Sequence, residues 1–595
     1  MLSSIKASVG GLFYVVRSIR RRLGFGLLLC SLLPSAVLAD RAEGRPPALA
    51  VAAAHPAATD AGLAIMAAGG NAFDAAVAIS AVLAVVEPYS SGIGGGGFWL
   101  LHRASDGRDL MIDGRERAPL AAHRDLYLDA SGELRPKASL DGPLAAGIPG
   151  EPAALAHIAE RYGRLPLAQT LAPAIRLARD GFPVDAVYRE MATWRRDVLR
   201  ASPAAAEQFL VQGEVPALGS LIRQPDLARV LETLAAEGRA GFYEGAIAQA
   251  LVQGVQDAGG IWSLEDLAGC RVVEREPVVG HYQGWTIVSA SPPSSGGVAL
   301  VQMLGMLEAL DARLGPASSD ADRVHRLIEV MRRAYRDRAL YLGDPDQVEI
   351  PLERLTHPYY SAGLARDIDP ERATPSRPSP VAPEGGDTTH FSVLDAEGNR
   401  VAATLSINYP FGSGFVPPGT GVLLNDEMDD FSSQPGVPNV YGLVGGVANA
   451  IAPGKRMLSS MSPAFAISED AVVILGTPGG SRIITMVLQG ILAAMAGGDP
   501  QDWVATRRFH HQYLPDEILF EADAFDPELQ AALRARGHRL SPAPGDYGNM
   551  QLVVWDRATA TVRAASDPRG IGQAEVRLLE PPEPPEPTAT AETLP

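Results

Sequence analysis

The sequence predicts a mixed α/β protein, on three observations. First, the Ala/Val-rich run Asp74 to Val86 (DAAVAISAVLAVV) reads as a buried helix behind the turn Gly69-Gly70-Asn71. Strand patterns follow at Phe98 to His102 and Leu110 to Asp113, around the turn Ser105-Asp106-Gly107. Second, Thr388 to Leu394 (TTHFSVL), Asp395 to Asn399 (DAEGN) and Val401 to Ile407 (VAATLSI) read as strand, turn and returning strand. Third, a short buried strand, Val472 to Leu475, runs into Gly479-Gly480-Ser481 and then an apolar helix carrying Ile483, Ile484, Val487, Leu488 and Ile491. Two amphipathic helices complete the pattern. One spans Leu165 to Arg179, with Leu171, Ile175 and Ala178 on one face and Gly181 beyond its end. The other carries Val324, Leu327, Ile328, Met331 and Tyr335 at i, i+3, i+4, i+7 and i+11.

The chain has 595 residues, 46% apolar and 20% charged, which is an ordinary globular composition and long enough for several core-sized units or one large one. Gly (61) and Pro (48) are too sparse for a collagen-like or low-complexity chain. Two cysteines, Cys30 and Cys270, exclude a disulfide-stapled scaffold. A net charge of −18 argues against nonspecific nucleic-acid binding, which needs basic contacts to phosphate.

Residues 1–39 differ from the rest. They hold Lys6, Arg17, Arg20, Arg21 and Arg22 and no acid, then an apolar stretch from Leu23 to Leu38 ending at Ala39 before Asp40. This order reads as a cleaved export signal, expected to deliver the protein to the periplasm or outside the cell. The alternative is a membrane anchor, against which Pro34 and the small-residue site argue. Leu29 makes a lipid anchor on Cys30 unfavoured, and the three consecutive arginines leave a twin-arginine route open. Removing the segment with its five basic side chains would take the charge from −18 to −23 and leave Cys270 alone. The tail 580–595 (EPPEPPEPTATAETLP) has too few apolar groups to offset ordering and reads as disordered.

The stretch 367–387 holds Pro370, Pro375, Pro378, Pro380 and Pro383, then Gly385-Gly386, and reads as an exposed extended linker. Thr388 therefore opens a core strand directly behind a loop. A Thr-Thr pair there also suits strand propensity alone. Chemically, a cut before Thr388 would set a free α-amine, with a reference pKa of about 7.7–8.0, beside its own hydroxyl, supplying base and nucleophile from one residue. The Gly479-Gly480 turn at a helix N-terminus can present N–H groups to a developing oxyanion, or can be a simple tight turn. Gly94 to Gly97 follows a helix and precedes a strand, the reverse of a dinucleotide-binding loop, and reads as close-packed backbone.

These residues resemble the γ-glutamyltransferases (γ-glutamyltranspeptidases), of the N-terminal nucleophile hydrolases, and the bacterial periplasmic members in particular. The resemblance rests on GGNAFDAAVAISAVLAVVEP (69–88), GIGGGGF (92–98), DGRERAP (113–119), DTTHFSVLDAEGN (387–399), NDEMDDFS (425–432), PGVPNVYGLVGG (435–446), LSSMSP (458–463) and GTPGGSRIIT (476–485). It implies a four-layer αββα sandwich made by two chains cut from one precursor between Asp387 and Thr388. These would be a large subunit, 40–387, and a small catalytic subunit, 388–595.

By the same resemblance Thr388 is the nucleophile, Ser406 its hydroxyl partner, and Gly479 and Gly480 the oxyanion donors. Arg115, Ser459 and Ser460 would hold a substrate α-carboxylate. Asn408, Glu427 and Asp430 would surround its α-amino group, and Tyr441 would gate the pocket on a lid from Pro435 to Lys455. Ser406 departs from the family's usual Thr by one methyl, and Glu427 is Gln in some relatives. His390 is expected to be structural, as is the pair His510-His511, which lacks ligand spacing. No metal or cofactor is implied. The implied activity is transfer of a γ-glutamyl group from glutathione or related compounds to water, amino acids or peptides through an ester on Thr388. The alternatives are a glutaryl-cephalosporin-type acylase and an inactive exported protein that binds γ-glutamyl ligands.

Overall fold

The computed structural model describes residues 44–376, 388–434 and 436–579. Residues 1–43, among them the expected export signal and Cys30, Asp387, the later part of the Pro-rich stretch, Pro435 and the tail from Glu580 lie outside the described residues. Two large sheets are built from β1 (Ala48–Ala53), β2 (Gly96–Arg103), β3 (Arg108–Gly114), β4 (Val273–Arg275), β5 (Val278–Tyr282), β6 (Trp285–Ser289), β7 (Thr389–Leu394), β8 (Arg400–Ser406), β9 (Ala464–Ile467), β10 (Ala471–Gly476), β11 (Gln551–Asp556), β12 (Thr561–Ser566) and β13 (Gln573–Leu578). The seven-stranded sheet runs β13-β1-β7-β8-β2-β3-β4, and the six-stranded sheet runs β12-β11-β10-β9-β6-β5. All neighbouring pairs within them are antiparallel.

Strand periodicity of two assigns alternate side chains to different cores. Leu394, Ala402 and Leu100 of one sheet share an apolar cluster with Val472, Ile474 and Val553 of the other. The intervening residues Phe391, Val393, Ala403 and Leu405 join a second cluster containing the helix α1 (Ala72–Val86). Val473, Leu475 and Leu552 join a third, with side chains of α4 (Gly296–Leu314), α5 (Asp320–Tyr341) and α6 (Ile483–Ala496). Before α4 in the chain come α2 (Leu167–Asp180) and α3 (Ala186–Ala201). α1 is buried on every side, as its uniform Ala/Val composition predicts, and starts in a capping box between Asn71 and Asp74. α2 begins two residues later than its apolar pattern, because Pro166 occupies the N-cap position. Cys270 is buried with a free thiol. Among the described residues no helix is long and apolar enough to cross a membrane.

One expectation is corrected in part. The first ten residues of the Pro-rich stretch are exposed at Asp367, Asp369, Glu371, Arg372 and Pro375, as expected, but they are tied down to the rest of the protein. Ile368 is buried. His325 Nε2 lies 2.8 Å from Asp369 O, Ala373 N donates to Arg536 O (2.7 Å), Thr374 N to Glu329 Oε1 (3.0 Å) and Ser376 N to Asp516 Oδ2 (2.7 Å). The acceptors for these backbone donors lie far away in sequence, so local composition does not reveal them.

Gly94 to Gly97 are close-packed as expected. A Cβ at Gly95 would collide with Ser406 O, at Gly97 with Thr404 O, and at Gly94 with Leu423 O. Backbone rather than flexible side chain stands in the way, so the strand that carries Ser406 must move. Gly95→Ala is therefore expected to cost about 1–3 kcal/mol of stability and to displace Ser406. A lowered guanidinium unfolding midpoint together with impaired activity checks this, and an unchanged midpoint contradicts it.

Candidate active site

The β7–β8 hairpin creates the first element of the site. Its turn is tied by Asp395 Oδ1, which accepts from the N–H groups of Glu397 (2.9 Å) and Asn399 (3.0 Å). That turn sets the register Thr389↔Leu405. The next residues out, Thr388 and Ser406, therefore face each other, with their hydroxyl oxygens 3.3 Å apart. Ser406 Oγ also accepts from Asn408 N (2.8 Å). Thr388 is nearly buried, and Thr389 donates its hydroxyl to Glu87 Oε2 (2.8 Å).

His390 lies on the same face of the strand as Thr388, two residues further in, and engages its own partners there. Its Nδ1 lies 2.8 Å from Thr404 Oγ1 and its Nε2 3.3 Å from Ser392 Oγ. Burial pushes its pKa down to about 3. It is a neutral, hydrogen-bonded core group. His510 meets Thr485 Oγ1 (2.8 Å) and Gln512 Oε1 (2.9 Å), while His511 meets Asp516 Oδ1 (3.3 Å), so the pair engages separate partners.

The turn after β10 supplies Gly479 (φ 137°) and Gly480 (φ 56°). Both conformations favour glycine. A Cβ at Gly480 would sit 2.7 Å from the Tyr441 ring. The turn leads through Gly480–Arg482 into α6, placing a helix N-terminus beside Thr388.

Charge is concentrated in a buried cluster. Arg115, just past β3, donates from Nη1 to Glu427 Oε2 (2.7 Å), from Nη2 to Asp430 Oδ2 (2.5 Å) and from Nε to Met457 O (3.3 Å); Glu116 Oε2 lies 3.5 Å from Nη1. Burial works against the guanidinium charge, but Glu427, Glu116 and Asp430 more than offset it and raise its pKa. Burial pushes Glu427 up to about 7 against the pull of Arg115, and burial together with the neighbouring Glu427 also raises Glu116 well above the usual carboxylate range. The two groups expected to clamp opposite ends of a ligand thus hold each other here.

Tyr441 O–H donates to Asn408 O (2.9 Å), and Gln512 Nε2 to Tyr441 O (3.0 Å). Val440 N donates to Asp429 Oδ2 (2.9 Å) and Asn439 Nδ2 to Asp430 Oδ1 (3.3 Å), tying the loop over the acids. One cavity of about 20 Å³, room for about one water, is lined by Arg115, Thr388, Ser406, Asn408, Glu427, Asp430, Tyr441, Ser459, Ser460 and Gly480. The structure brings together every site residue expected from sequence except Gly479, which lines an adjoining cavity with Thr388. Asp387 lies outside the described residues.

Two contributors escaped sequence reasoning. Arg338 on α5 is buried and donates to Ser460 Oγ (3.2 Å) and Ser295 Oγ (3.0 Å). It continues the apolar stripe three residues beyond Tyr335, and an Arg on a buried stripe was the available signal. Asn425 accepts from the N–H groups of Gly147 (2.9 Å) and Glu427 (3.0 Å) and donates to Gly94 O (2.7 Å) and Gly147 O (2.8 Å). It fastens the acidic segment to the glycine run.

A buried Thr388–Ser406 pair at the open end of the β7–β8 hairpin, a Gly-Gly turn at a helix N-terminus and a paired charge cluster around two adjoining cavities suit acyl transfer. With this fold they define an enzyme of the N-terminal nucleophile hydrolase type. The family model described as gamma-glutamyltranspeptidase matches residues 58–577, and the chain belongs to that family. It is 42% identical over 529 residues to a glutathione hydrolase proenzyme of Escherichia coli (strain K12), covering 88% of this chain and 90% of that one. Among solved structures it resembles a cephalosporin acylase from Bacillus halodurans (TM-score 0.78, 28% identity, 89% of this chain and 96% of that one). It also resembles a gamma-glutamyltranspeptidase of Helicobacter pylori (TM-score 0.52, 38% identity, 54% of this chain and 92% of that one).

The buried state of His390 gives a pH test. Below about 6.5 an unfolded histidine takes up a proton, whereas His390 in the folded protein resists protonation down to about 3. The unfolded state therefore binds more protons in that window, and the stability present at neutral pH is lost as pH falls. The stability advantage of the wild type over His390→Gln is expected to shrink by about 2 kcal/mol between pH 7 and pH 5. Urea titrations at the two pH values measure it; a pH-independent difference refutes the neutral buried imidazole.

Proposed function

We propose that the protein is an exported, self-processing γ-glutamyltransferase and glutathione hydrolase. The precursor would lose residues 1–39 and cut itself between Asp387 and Thr388. Subunits 40–387 and 388–595 would remain together in a four-layer αββα sandwich, in the periplasm or outside the cell. The freed α-amine of Thr388 then serves as base for its own hydroxyl. Thr388 Oγ1 attacks the γ-carbonyl of the donor, Gly479 and Gly480 N–H groups stabilise the oxyanion, and the amine leaves with a proton. Water or a second amine resolves the ester. Each preorganised oxyanion donor is worth about 2.7–4 kcal/mol in enzymes of comparable chemistry.

The observation that carries the substrate class is the Arg115–Glu427–Asp430 pairing. A free α-amino, α-carboxyl end can insert between these groups, its carboxylate taking Arg115 with Ser459 and Ser460, its ammonium taking Glu427, Asp430 and Asn408. Every buried charge then keeps a partner. A glutaryl donor, the substrate class of the acylase reading that the Bacillus halodurans likeness favours, lacks the ammonium and would leave the two carboxylates without a counter-ion. γ-Glutamyl anilide is accordingly expected to be cleaved with a kcat/KM at least about 100-fold above glutaryl anilide, equivalent to about 2.7 kcal/mol; a preference for glutaryl supports the acylase instead.

Thr388→Ala is expected to run as one full-length band after export, to release no aniline, and to leave the fold intact. Splitting into two chains in that variant, or retained turnover, removes Thr388 from its assigned role. A wild type that never splits supports the inactive binding protein.

A further inference from the structure

Thr388 stands where two cavities meet, and the second takes no part in the charged clamp. It has a volume of about 170 Å³ and includes Glu87, Tyr89, Met191, Trp194 and Gly479 in its wall beside Thr388. Val187, Met191 and Trp194 also line it, at i, i+4 and i+7 along one face of α3. Trp194 is 51% exposed, and its ring meets Tyr409 edge-on at 5.0 Å. An indole held this way at a cavity rim presents a large apolar surface with little freedom left to lose. The charge in the wall is selective too. Glu87 is held beside the nucleophile strand by Thr389, whereas the Arg569 guanidinium is bound by Glu521 (2.6 Å) and Asp567 (3.0 Å).

Resting on the γ-glutamyl reading above, we propose that this cavity receives the second substrate, a primary amine of an amino acid or peptide whose bulky apolar side chain packs against Met191 and Trp194. Gly480 lines the clamp cavity and Gly479 the second one. An acyl carbon held at that turn is therefore open to approach from the second cavity. The entering ammonium gives one proton to the free α-amine of Thr388; its lone pair then forms a bond to the γ-carbonyl carbon, the bond from that carbon to Thr388 Oγ1 breaks with its electron pair, and the second proton lost by the nitrogen returns to Oγ1. The wall carboxylate of Glu87 favours a cationic amine over an anion at the entrance. Met191 and Trp194 thereby set acceptor preference and the share of ester that escapes hydrolysis.

The test uses the mature enzyme with a γ-glutamyl anilide donor and measures transfer to phenylalanine and to glycylglycine. In Trp194→Ala the kcat/KM for phenylalanine as acceptor is expected to fall about fivefold more than that for glycylglycine, and Trp194→Phe is expected to restore most of the difference. An equal loss for both acceptors, or none for either, overturns the proposal, because a purely structural role through Tyr409 would not distinguish them. If the unmutated enzyme releases no aniline from the donor, the γ-glutamyl reading falls, and this proposal with it.

Discussion

The buried charge of Arg115 organises the centre of this molecule. A guanidinium removed from water costs several kcal/mol unless its donors and charge are met. Here Glu427, Asp430 and the Met457 carbonyl meet them. Those partners sit on segments remote in sequence from Arg115, so a single side chain draws the end of β3, the acidic segment and the loop before β9 to one point. Asn425 and the glycine run hold the acidic segment from behind. Removing the cation would leave a crowd of carboxyl groups buried together, a change of about 3–5 kcal/mol for comparable buried pairs.

The same cluster explains how a closed site can accept a charged ligand. Its cavity holds little more than a water while Arg115 and the acids are paired with each other. Exchange of partners with a zwitterion needs no unpaired intermediate charge, whereas a ligand with one charge does. On the proposed γ-glutamyl reading, selectivity would come from the cost of leaving a buried group alone, which exceeds the modest gain from adding a contact. Tyr441 acts in the same place by geometry, its ring lying over Gly480 and its hydroxyl bonded to Asn408.

Much of this was legible beforehand. The strands, the buried α1 and the strand–Gly–Gly–helix unit follow from periodicity and turn chemistry. The hairpin DAEGN turn even implies that Ser406 stands opposite Thr388, because a loop of that length sets the register. The glycine run was read as close packing, and the collisions at Gly94, Gly95 and Gly97 give the reason. The anchoring of the start of the Pro-rich stretch is not legible in its composition, since Glu329, Asp516 and Arg536, which tie it down, are distant in the chain. Arg338 went unnoticed because an apolar-stripe pattern counts apolar residues and passes over a cation that hydrogen bonds can satisfy.

Local order and the chemical inventory, then, belong to the chain itself. Short-range sterics and alternation of apolar residues create the elements, and the motif residues carry the hydroxyls, the glycine N–H groups and the charges. Which charges face one another was a matter for the folded state. In isolation Arg115 reads as one clamp and Glu427 with Asp430 as another, yet the fold closes them into ion pairs about 310 residues apart in sequence. The second cavity beside Thr388 has the same origin. Its walls come from α3, the Gly479 turn and the residues around Tyr89, and packing of α3 against Tyr409, Phe411 and Gly412 beyond β8 holds that helix in place. Electrostatic pairing and cavity shape depend on distances in space, and sequence separation carries no information about those until the sheets have stacked.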